Sequence, residues 1–70
     1  MDKITITIAS RGPEGNIYSI LGKVRSEMRR RRLIEKYNNL YTDVTNSNSY
    51  AEAIARIRQD VNLIDSDNAI

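Results

Sequence analysis

Six cations fall within ten residues, Lys23, Arg25, Arg29, Arg30, Arg31 and Arg32, against Glu27 alone. A guanidinium grips a phosphate through two parallel hydrogen bonds and stays charged at any physiological pH. Several of them on one helix face therefore make an anion clamp. At helical spacing Arg25, Arg29 and Arg32 share a stripe with Tyr18 and Gly22. The Tyr18 ring could stack on a base while its hydroxyl bonds a phosphate or ribose. A second candidate lies upstream in Arg11-Gly12-Pro13-Glu14-Gly15-Asn16. A glycine turn entering a helix offers unpaired backbone N–H groups and the positive end of the helix dipole, which suits phosphate.

Each feature has a plainer explanation. Pro13 has no N–H, Glu14 brings a negative charge to the turn, and the run fits neither the dinucleotide fingerprint nor the P-loop pattern. Turn plus cap, with Glu14 complementing the dipole, is the structural alternative. For the arginines it is a solvated helix end whose cations answer the C-terminal dipole. For Tyr18 it is a half-buried position at a subunit interface.

Candidates for catalysis are scarce. Histidine and cysteine are absent, which removes the commonest proton carrier near neutral pH and any thiolate. No spacing of the nine acidic residues suggests a carboxylate pair. No catalytic residue, metal or cofactor is expected, and the reading is a binding protein. The net charge is only +2, so the basic stretch is a local face on a slightly acidic remainder.

The elements that must position these residues follow from periodicity. Ile4, Ile6 and Ile8 alternate with Thr5 and Thr7, a half-buried strand. Gly12, Pro13 and Gly15 break it, and Asn16 is a good N-cap. Ile17, Ile20, Leu21, Val24 and Met28 form the apolar stripe of a first helix, which changes register near Arg31–Leu33. Ile34, Tyr37, Leu40 or Tyr41, and Val44 continue a second, with Asn46–Asn48 as loop. Ser49 and Glu52 match a capping box, and Tyr50, Ala53, Ile54, Ile57 and Val61 align on a third helix. Tyr37, Tyr41 and Tyr50 are expected in the core. Residues 61–65 read as a second strand, able to lie parallel to the first, and 66–70 as a frayed tail.

The expectation is thus one small α/β (α+β) domain over 1–65, in the order β-α-α-α-β. Seventy residues barely suffice for a core, and without disulfides self-association is the remaining source of buried surface. A homo-oligomer is therefore expected. No apolar run approaches the ~20 residues needed to cross a bilayer, and the N-terminus lacks a secretory core. A cytoplasmic protein without membrane contact is expected.

The Ile-Thr-Ile…Gly-Pro-Glu-Gly-Asn-Ile-Tyr-Ser-Ile-Leu-Gly-Lys junction and Ser-Tyr-Ala-Glu-Ala-Ile near residue 49 resemble small accessory proteins of bacteriophages and prophages. The resemblance covers most of the chain and carries no residue assignment. It implies a counter-defence factor in the host cytoplasm: an oligomeric sponge for cyclic nucleotides, or an inhibitor of a CRISPR nuclease. The residues themselves give a ligand-binding set of Arg11, Gly12, Gly15, Asn16, Tyr18, Arg25 and Arg29. Tyr18 and Arg29 lie about 16 Å apart along a helix rising 1.5 Å per residue, so a second subunit would supply the arginines. The expected ligand is an anionic nucleotide, with nucleic acid or a host defence protein as the alternative partner.

Overall fold

The structure, a computed structural model, describes residues 3–69. Strand β1 (Ile4–Ile8) leads through a single 3-10 turn at Pro13–Gly15 into helix α1 (Ile17–Arg30). Helices α2 (Ile34–Thr45) and α3 (Tyr50–Asp60) follow, and strand β2 (Val61–Asp65) closes the order β-α-α-α-β. The strands pair in parallel, Ile4 opposite Val61 and Ile8 opposite Asp65. The fold class thus agrees with the periodicity, and the strand direction, which the sequence left open, is parallel.

Alternation dictates the layering. Ile4, Ile6 and Ile8 of β1 and Val61 and Leu63 of β2 are buried, while Thr5, Thr7, Asn62 and Ile64 are exposed. All three helices therefore cover one sheet face and leave the other bare. Their contributions are Ile20, Leu21, Val24 and Met28 from α1, Tyr37, Leu40 and Val44 from α2, and Ala53, Ile54 and Ile57 from α3. Among the described residues no helix is long and apolar enough to cross a membrane.

Local chemistry sets the boundaries. Asn16 caps α1 by accepting from the Tyr18 amide at 2.7 Å. The helix ends in a Schellman motif, with the Leu33 N–H on the Met28 carbonyl and the Arg32 N–H on that of Arg29. Arg32 takes the left-handed position of that motif (φ 62°), where glycine is usual. At α3 the Ser49 hydroxyl accepts from Glu52 N–H at 3.1 Å, but the Glu52 carboxylate accepts from Asn48 N–H, one residue earlier than a capping box requires. Arg56 of α3 pins α2 through Asp43 (2.8 Å) and is held within its own helix by Asp60 (3.0 Å).

Three expectations change. Leu40, not Tyr41, takes the core position of α2, and Tyr41 is 42% exposed. Tyr50 is also outside the core because it opens α3 at the rim, where its hydroxyl donates to the Gly15 carbonyl (2.7 Å). Residues 66–69 are not a loose tail: Ser66 N–H donates to the Ile8 carbonyl and Ala69 N–H to the Asp65 carboxylate. Met1, Asp2, Ile70 and the Glu14 side chain, with the dipole role expected of the latter, lie outside the described residues.

Gly15 is the tightest point of the chain. An added Cβ would stand 1.9 Å from the Ser10 carbonyl oxygen, a backbone atom that cannot swing aside. Gly15→Ala is expected to lower stability by about 1–3 kcal/mol, read from the urea midpoint at unchanged m-value.

Candidate functional site

The strand-to-helix junction has already spent much of its hydrogen bonding on the protein itself. Gly12 N–H donates to the Ala9 carbonyl (3.0 Å) and Gly15 N–H to that of Gly12 (3.1 Å). Arg11 N–H goes to the Asp67 carboxylate (2.9 Å), and Tyr18 N–H to the Asn16 side chain. A phosphate at this turn would have to displace those partners.

Beside the junction stands Asp65, the one buried charged side chain among the described residues. Its carboxylate accepts from the Ser10 N–H and hydroxyl and from the amides of Asp67 and Ala69. Burial works against its ionisation, but the Ser10 hydroxyl and the three amides outweigh burial and hold the carboxyl well below the usual carboxylate range. Asp65 and Asp67 thus stand beside β1's exit as built-in anions.

The arginine stripe is different in kind. Tyr18 is 68% exposed, and Gly22, Arg25 and Arg29 are exposed on the same helix. Glu27 engages Arg30 at 2.9 Å and Arg31 at 3.8 Å. Among the described residues Arg25, Arg29 and Arg32 have no carboxylate within ion-pair distance. Arg25 acts on the α2 aromatics: burial raises the Tyr37 phenol pKa, the Arg25 charge opposes that rise, and Tyr41 adds to it. The Tyr37 and Tyr41 rings stand 6.0 Å apart. Arg25 of α1 therefore lies near the α2 pair formed by the buried Tyr37 and the exposed Tyr41.

Gly22 lies mid-stripe with nothing within 4 Å of an added Cβ. No internal packing requires a glycine there, although it costs about 1 kcal/mol in a helix interior relative to alanine. Arg32 carries its charge at a backbone conformation costing a non-glycine residue about 1–2 kcal/mol.

Of the seven residues proposed from sequence, Arg11, Gly12, Gly15, Asn16 and Tyr18 cluster at the N-terminal end of α1. Arg25 and Arg29 lie two to three turns away, so one copy does not bring the set together. Sequence reading missed Tyr41 and Tyr50 as surface groups. Tyr50 shares with Tyr18 a cleft of about 300 Å³ whose other walls include Ile17, Val44, Thr45 and Ser49. Its signal was position: the first helical residue after a cap lies at a rim. Among the described residues no cluster of acidic side chains could hold a metal ion. No family model, curated protein or solved structure matches the chain.

The Asp65 account has a pH signature. A depressed folded-state pKa contributes stability that is present above the ordinary carboxylate pKa of about 4. That contribution is lost as pH falls toward the depressed value. Asp65→Asn is expected to lower Tm at pH 7 and to flatten the fall of Tm between about pH 4 and pH 2. Parallel acid-side melting curves for both proteins would contradict it.

Proposed function

We propose that the chain is a non-catalytic binder of phosphate-bearing ligands that works as a homo-oligomer through the outward stripe of α1. The carrying observation is the set Arg25, Arg29 and Arg32. Arg25 and Arg29 share an exposed flank of α1, Arg32 follows the end of that helix in a left-handed backbone position, and none of the three has a carboxylate partner among the described residues. Cations kept unneutralised at a conformational cost fit a surface that meets anions. The preferred ligand class is a cyclic or otherwise phosphorylated nucleotide, sequestered intact. Tyr18 and Tyr41 offer rings for its base, and the α1 guanidiniums neutralise its phosphates. The likeness to phage accessory proteins supports a sponge in the host cytoplasm.

The junction contributes differently from the sequence expectation. With the amides of Arg11, Gly12, Gly15 and Tyr18 engaged internally, the loop shapes the start of α1 and the arginines supply the affinity. A second reading, binding to nucleic acid or to a host nuclease, is favoured by the stripe's form. It runs about 16 Å along the convex side of a helix at 1.5 Å per residue, which suits an extended phosphate backbone.

Calorimetry with cyclic dinucleotides, cyclic trinucleotides and cyclic ADP-ribose isomers separates the two. Tight, stoichiometric binding that falls at least about a hundredfold in the Arg25→Glu, Arg29→Glu double variant supports the sponge, each charged hydrogen bond contributing about 1.5–3 kcal/mol. A gel shift whose affinity falls steeply with salt supports nucleic acid. No binding to any of these, or binding indifferent to the double reversal, would remove the proposal. In the same assays Gly22→Ala is expected to stabilise the fold by about 1 kcal/mol while weakening the ligand.

A further inference from the structure

We infer that the free edge of β1 is the docking surface for a second copy of this chain, joined antiparallel about a two-fold axis at Ile6. The inference rests on the oligomer in the reading above and names its interface. Strand alternation exposes the edge. The Ile8 carbonyl accepts from Ser66 N–H, so the backbone groups of Ile4, Ile6 and Ile8 face β2. Those of Thr5 and Thr7 consequently point away from β2. A groove of about 300 Å³ runs along that edge, lined by Thr5, Ile6, Thr7, Lys23, Ser26 and Glu27.

The edge complements itself in three ways. Antiparallel pairing of Thr5 with the partner's Thr7, and of Thr7 with the partner's Thr5, uses the outward N–H and C=O groups of both residues. That register also sets Ile6 against the partner's Ile6, with both side chains on the helix-covered face, so the two cores become continuous. The third match is charge. In the single copy Lys23 Nζ covers the Thr7 carbonyl at 3.3 Å, a contact that the partner's Thr5 N–H replaces, and Glu27, which also engages Arg30 and Arg31, lines the same groove one helical turn on. The two-fold axis exchanges the Thr7 and Thr5 levels, so Lys23 of each copy meets Glu27 of the other. The product is a four-stranded sheet, β2-β1-β1-β2, with the two α1 helices side by side on one face. It lifts the sheet above the two-stranded size that is marginal in water. The Arg25–Arg29 stripe occupies the other flank of α1 and stays open.

Sedimentation of the ligand-free protein, with amide hydrogen exchange, tests this. The expected result is a dimer in which Thr5 and Thr7 amides are protected at high concentration and lose protection at least tenfold on dilution. Lys23→Glu and Glu27→Lys should each weaken dimerisation at least tenfold, and the double exchange should restore it, with far-UV circular dichroism checking the fold of each variant. A monomer at all concentrations, or a dimer that protects Val61 and Leu63 instead, overturns the inference, as does a dimer indifferent to the single reversals. If a variant fails to fold, protection in the unmodified protein decides. A monomer that still binds a nucleotide rejects this interface and leaves the α1 stripe standing. A dimer that ignores phosphates does the reverse.

Discussion

A single buried carboxylate organises the chain-reversal end of this domain. Asp65 ends β2 and collects donors from Ser10, where β1 exits, and from Asp67 and Ala69 beyond β2. A buried charge without such partners would cost several kcal/mol, so the surrounding backbone must converge on it. Ser10, held by Asp65, also stands so close to Gly15 that a Cβ there would meet its carbonyl oxygen. The arrangement explains why a glycine turn before a helix is not automatically a phosphate site. The negative charge beside it is already in the sequence, fifty-odd residues away.

With the junction self-satisfied, α1 becomes a helix with three occupations. Ile20, Leu21, Val24 and Met28 face the core. Lys23, Ser26 and Glu27 border the free edge of β1. Tyr18, Gly22, Arg25 and Arg29 form the remaining exposed flank beside the α2 tyrosines. Packing and charge are thereby separated around one cylinder, and a partner along the edge leaves the basic flank accessible. Arg32 follows the helix end in a left-handed backbone conformation.

Much of the fold was legible in the residues because its signals are local. The Ile4/Ile6/Ile8 alternation, the Ile20–Met28 stripe, the Asn16 and Ser49 caps and the Val61–Asp65 exit each depend on a few neighbours. The expectations that changed turn on contacts distant in sequence. Leu40 and Tyr41 stand about 100° apart and flank the Tyr37/Val44 stripe on opposite sides, so the packing of α2 on α1 and α3 decides which one faces inward. The hydrogen bonds of residues 66–69 depend on Ile8 and Asp65. The candidate site divides the same way. The arginine stripe was visible as a helical pattern, whereas the bonds of Ser10 to Asp65 and of Arg11 N–H to Asp67 join residues more than fifty positions apart.

The most direct measurement is a titration of the protein with pyrophosphate followed by backbone-amide and arginine Nε–H resonances. The account predicts shifts concentrated on the Arg25, Arg29 and Arg32 side chains and on the Tyr18 surface, with the Gly12 and Gly15 amides unmoved. Large shifts at Gly12 and Gly15, with the arginine Nε–H signals unchanged, would return the anion to the junction and contradict it.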